Sequence, residues 1–119
     1  MAKNFVQDGK VIDYTAGADI SSGDVVELQH CLGVALADIA NGATGAVAIE
    51  GVFTLPKVSG AVFAVGEKLI YDTSVNAFDD SSATPATGDL TGAAIAVKAG
   101  ANGETTCTVK LTPGNVTRT

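Results

Sequence analysis

Tryptophan is absent from this chain, and Phe5, Phe53, Phe63, Phe78, Tyr14 and Tyr71 are its whole stock of aromatic rings. Much of the other apolar content is alanine, whose methyl group buries little area, so the core available is thin. Rings needed inside leave few for the exposed platforms of a sugar-binding module. Histidine occurs once, at His30, so neither a histidine-based metal cluster nor a serine triad can be assembled. The two cysteines, Cys31 and Cys107, are far apart and lack CxxC spacing. They indicate neither a disulfide framework nor a zinc site and are expected as small core hydrophobes. Positive charge is scarce too. Seven basic residues against thirteen acidic ones leave a net charge of -6, and the bases stand singly rather than in the stripe that phosphate binding needs, so nucleic acid is not an expected partner. No window approaches the roughly 20 apolar residues of a membrane span. The opening Met1 to Gly9 lacks the apolar centre of a secretory signal, so the expectation is a soluble product of the host cytoplasm with no membrane partner.

What the chain does have is glycine, threonine, valine and serine in short alternating runs. At 119 residues it has the length of one domain, and no segment sustains the i, i+3, i+4, i+7 spacing of an amphipathic helix. Thr105, Cys107, Val109 and Leu111 fall on one face of a predicted strand, with Thr106, Thr108 and Lys110 on the other. A second alternation sets Val47, Ile49, Phe53 and Leu55 against Ala46, Ala48, Glu50 and Thr54. Gly51 lies in phase on the apolar side, where it predicts a bulge or a close backbone approach, and Pro56 ends the run because it cannot donate to a ladder. Weaker strands are predicted over 10–15, 24–28, 32–37, 67–71, 77–79 and 90–97. Turn residues lie between them at Ser22-Gly23-Asp24, Asn41-Gly42, Gly66-Glu67, Ser74-Val75-Asn76 and Asn102-Gly103. The expected fold is all-β, a small antiparallel sandwich or barrel-like domain over 10–119, with residues 1–9 as an extended N-terminal arm. The polar stretch from Asp80 to Asp89 is expected as an exposed, mobile loop.

One internal echo stands out. Gly33 to Ala37, a Gly/Asn turn and Ala46 to Ile49 resemble Gly92 to Ala96, a Gly/Asn turn and Thr106 to Val109. If the echo is a duplication, two similar strand pairs stack their apolar faces.

Tests for chemistry find no assembled set. His30 stands beside Cys31, but neighbours on a strand point to opposite faces, so they do not form a nucleophile and base pair. Asp72-Thr73-Ser74-Val75-Asn76 begins like a calcium loop, then places Ala77 where the sharp turn needs Gly and Ala83 where the bidentate Glu belongs. Asp79, Asp80 and Asp89 could gather round a cation only if their loop folded back. No enzyme activity, metal or cofactor is expected.

The order of the short blocks resembles a known family, the capsid cement proteins that decorate the heads of tailed bacteriophages. The resemblance lies in Met1 to Tyr14, Ala18 to Val26, Leu32 to Ala35, Ala48-Ile-Glu-Gly-Val-Phe-Thr-Leu-Pro-Lys57, Gly66 to Asp72, Gly92 to Val97 and Cys107 to Leu111. It covers nearly the whole chain, and its specificity comes from the N-terminal block together with Glu-Gly-Val-Phe-x-Leu-Pro-Lys. It implies a structural protein on the outer surface of the virion that binds the expanded head and bridges major capsid protein subunits as a homo-oligomer. On that basis Ala2, Lys3, Asn4, Phe5, Val6 and Gln7 are the candidate capsid-contact residues, an arm laid on the shell with Phe5 filling a pocket. Two other classes fit the residues less well. One is a different virion or cell-surface β module, of the tail or sugar-binding kind; the other is a small hydrolase using Cys31.

Overall fold

A computed structural model describes Lys3, Asn4, Gln7 and residues 9–119. Ten strands follow in order: β1 (Val11–Thr15), β2 (Val25–Leu28), β3 (Cys31–Ala35), β4 (Thr44–Ala48), β5 (Val52–Pro56), β6 (Lys68–Asp72), β7 (Ala77–Asp79), β8 (Leu90–Ala96), β9 (Thr106–Leu111) and β10 (Thr117–Arg118). They form two antiparallel sheets. The first has the order β1-β4-β3-β2; the second runs β5-β9-β8-β6-β7, with β10 paired to β8. With no helix among the described residues, the fold is all-β and sandwich-like, as the alternation predicts.

Each sheet has its own apolar cluster. Val26, Ala35, Ile39 and Val47 close one cluster with Ala16, and Tyr14, Ile20 and Leu28 pack against it. The larger cluster fills the second sheet with Leu55, Leu69, Tyr71, Phe78, Leu90, Val109 and Leu111 and receives Leu32 and Val34 from β3. Strand β3 is buried on both faces for this reason, which is why Leu32, Gly33, Val34 and Ala35 read as a continuous buried run. In β9 the predicted period is observed: Cys107, Val109 and Leu111 are buried while Thr106 and Lys110 are exposed.

The alternation over 46–55 is not one strand. It divides into β4 of the first sheet and β5 of the second, and the chain changes sheet at Glu50-Gly51. Gly51 has φ 123°, a conformation that side-chain-bearing residues avoid, so the expected bulge is a corner. Val47 therefore lies in the smaller cluster and Leu55 in the larger.

Past Pro56 the backbone of Lys57 bridges Phe78 of β7 in parallel fashion, and the Val58 amide donates to the Phe78 carbonyl at 2.9 Å. The second sheet thus curls until its two outer strands nearly meet. Lys57 is 4% exposed, and its Nζ donates to the carbonyls of Val58 (2.9 Å), Ser59 (3.2 Å) and Glu104 (3.2 Å). A buried ammonium satisfied by three carbonyls fixes this closure.

The internal echo is structural. The Gly23 amide donates to the Ala35 carbonyl, and the Gly66 amide donates to the Ala96 carbonyl. Ala35 N returns to Asp24 O, as Ala96 N returns to Glu67 O. Ile20 bridges Ile39 as Phe63 bridges Gly100. Gly42 N donates to Ala16 O, and Gly103 N to Ser59 O. These bonds match Ala35 with Ala96, two positions from the sequence match of Gly33 with Gly92. The offset comes from β8, which is irregular against β6 between the pairs Lys68↔Ile95 and Ile70↔Thr91. Gly92 lies in that irregularity with φ 82°, and a Cβ there would stand 2.4 Å from the Asn115 carbonyl oxygen.

Candidate interaction surface

Among the arm residues, Lys3 and Asn4 are exposed in a turn, and exposed Gln7 donates from Nε2 to the Val11 carbonyl at 2.7 Å. Ala2, Phe5 and Val6 lie outside the described residues. The segment leads into β1, an edge strand of the first sheet. Edge strands carry backbone groups open to pairing with another chain. Among the described residues, the large apolar side chains left exposed are valines and a leucine: Val52, Val62, Val65, Val75 and Leu36. Isolated exposures of this kind are ordinary.

A cleft of about 350 Å³ opens where the first sheet meets the closure of the second. Gly23, Asp24 and Val25 line it from the start of β2, Pro56 from the end of β5, Tyr71 from β6, and Asn76 from the β6–β7 turn. The turn residue Asn76 sits at φ 54°, a conformation asparagine tolerates. Tyr71 is 2% exposed, and its ring meets Phe78 edge-on at 5.1 Å. Burial, with the nearby Glu27 and Asp24 carboxylates, pushes its phenol up to about 12, so the cleft holds a neutral hydroxyl at physiological pH. Sequence reasoning missed this site. Its lining comes from four separate segments, and only Tyr71, a polar-tipped ring in a predicted core strand, carried any signal.

Most other carboxylates are engaged in turns. Asp72 accepts from the amide and hydroxyl of Ser74, and Asp80 from those of Ser82. Asp89 is 4% exposed and accepts from Thr73 N, Thr73 Oγ1 and Ala86 N. Glu67 accepts from Ser81 N and Oγ and from Ala64 N, and these donors hold its carboxyl below the usual range. The stretch from Asp80 to Asp89, predicted as a mobile loop, is thus exposed in part but tethered at Ser81 and at Asp89. Asp89 faces protein donors, not a cation, and no three His, Cys, Asp or Glu side chains among the described residues are placed to hold a metal ion.

His30 is exposed in the two-residue turn joining β2 to β3, and Cys31, half-buried, opens β3. Burial raises the Cys31 thiol, and burial pushes Cys107 up to about 11. An activated nucleophile needs the opposite shift. Cys31→Ala should therefore lower folding stability by about 1 kcal/mol or less and leave the binding of the protein unchanged; urea titration and a binding assay run side by side check this.

A family model described as phage cement protein matches residues 6–111, a span that includes both sheets from β1 through β9. The match starts at Val6, so Ala2 to Phe5 precede it. No curated protein matches the chain.

Proposed function

Because this chain belongs to the phage cement protein family, whose members are structural proteins of the virion, we propose that it binds the outer surface of the expanded head. There it stabilises the shell by bridging major capsid protein subunits as a symmetric homo-oligomer. The extent of the family match, which takes in both sheets and the closure of the second, carries this reading. The physics suits it. A module of this size can bury on the order of 800 Å² against a partner, and each contact after the first is intramolecular, so modest contacts together give long residence. Ala2 to Gln7 supply one contact. They precede an edge strand, where an extended segment can add main-chain hydrogen bonds to a neighbouring sheet.

The test mixes purified protein with undecorated, expanded heads and measures co-sedimentation and the thermal stability of the shell. The full chain should co-sediment and raise the temperature at which shells break. A truncation lacking residues 2–7 should keep its own unfolding midpoint yet bind about tenfold more weakly, as loss of one arm of a multivalent contact predicts. Equal binding by the truncated chain would remove the arm from the mechanism, and no binding by the full chain would defeat the function.

A further inference from the structure

Building on the capsid-binding function above, we infer that the cleft at Asp24 and Tyr71 seats a basic side chain, arginine or lysine, from the shell subunit. The duplicated turns show what is missing there. In the second half, one oxygen of Glu67 closes its own turn on Ala64 N, and the other holds the amide and hydroxyl of Ser81. In the first half, Oδ2 of Asp24 closes the equivalent turn on Ser21 N at 3.0 Å. Its other oxygen receives no donor among the described residues. The position that the Asp80 to Asp89 loop fills in one half is open in the other, and the cleft lies beside it.

Tyr71 is a second, independent sign. Its side chain is almost wholly buried, yet its hydroxyl has no hydrogen-bond partner among the described residues. No fully enclosed side-chain oxygen or nitrogen there lacks a partner, so this hydroxyl reaches open space, and the cleft that Tyr71 lines is that space. Asn76, which also lines the cleft, likewise makes no side-chain hydrogen bond among the described residues. A free carboxylate oxygen, a phenol and an amide oxygen are three acceptors, which suits an ammonium or guanidinium group. The tyrosine ring and Pro56 can flank its aliphatic stem. Glu27 adds negative charge, part of it answered by Arg118 at 3.7 Å. A second copy is the poorer occupant. With seven bases against thirteen acids, a second copy has few basic side chains to offer the cleft, whereas a basic residue on the shell is attracted to it.

Two probes and two variants test the assignment. Amide shifts of the full chain are followed during titration with N-acetyl-arginine-amide and, separately, N-acetyl-norleucine-amide. The arginine derivative should move Gly23, Asp24, Val25 and Asn76 saturably, and the norleucine derivative should not. Asp24→Asn keeps an oxygen for the Ser21 amide while removing the charge, and should weaken the arginine probe about tenfold. Tyr71→Phe keeps the ring and should weaken it roughly threefold. Both variants should also leave expanded heads at lower salt than the parent chain does. Unmoved cleft amides, equal shifts with norleucine, or unchanged affinity in Asp24→Asn would overturn the pocket. Self-association that Asp24→Asn abolishes, with head binding intact, would seat a second copy there and overturn the shell as partner. Cleft shifts in a chain that binds no heads would support the cationic pocket and overturn the capsid function.

Discussion

Lys57→Ala is expected to cost about 4 kcal/mol of folding stability, and Lys57→Met about 2 kcal/mol. The alanine variant keeps Cβ and loses the three further methylenes of the buried stem, at about 0.8 kcal/mol each, and it strips three carbonyls of their donor. The methionine variant keeps most of the stem and loses only the ammonium, so the difference between the two separates packing from hydrogen bonding. The carbonyls of Val58, Ser59 and Glu104 sit in or beside turns near the surface, where water can replace part of what is lost, and this keeps the polar share near the low end of the usual range. Each kcal/mol should lower the thermal midpoint by roughly 4 °C in a chain of this size. Urea unfolding would show lower midpoints at an unchanged slope. A methionine variant as stable as the parent chain would mean that the three bonds contribute nothing net.

That lysine also shows how far the sequence could be read. It closes the block Glu50-Gly-Val-Phe-Thr-Leu-Pro-Lys57, the most specific part of the family resemblance, and each position has a physical task. Gly51 turns the corner between sheets, Phe53 and Leu55 face the larger cluster, and Lys57 ties the closure. Alternation showed the faces of β9 because period two survives wherever one side is wet. It could not show that the run over 46–55 changes sheets, since a corner at Gly51 leaves the parity of the pattern intact. The burial of Lys57 was illegible for a related reason. Its three partners lie one, two and 47 residues away, and the last becomes a neighbour only after β9 has paired with β5. The duplication was visible in outline, but the irregularity at Gly92 displaced the match by two positions, and only the hydrogen bonds restore it. The cleft depends on that same restored match, because the vacancy at Asp24 is recognisable only beside the filled position at Glu67.

Phe78→Ala should be comparably severe, about 4 kcal/mol, since phenylalanine truncation in a sealed core usually costs 3–5. Phe78 has no exposed surface and packs edge-on to Tyr71 at 5.1 Å, an arrangement that adds to plain area burial. Phe78→Leu, which retains most of the volume, should cost only about 1.5 kcal/mol. The backbone of Phe78 is also where Lys57 and Val58 close the second sheet, so the two sites are not independent. A shrunken side chain at 78 lets the β7 backbone settle inward and loosens the bridge to Lys57. The Lys57→Met and Phe78→Leu changes combined should then destabilise by less than the sum of the single effects, with a coupling of about 0.5–1 kcal/mol. Strict additivity in urea titrations of the four proteins would show that the core under Phe78 and the lysine staple hold the closure separately. The predicted coupling would instead make the sheet closure one cooperative unit, and Pro56, Tyr71 and Asn76, the cleft residues contributed by the second sheet, would depend on both.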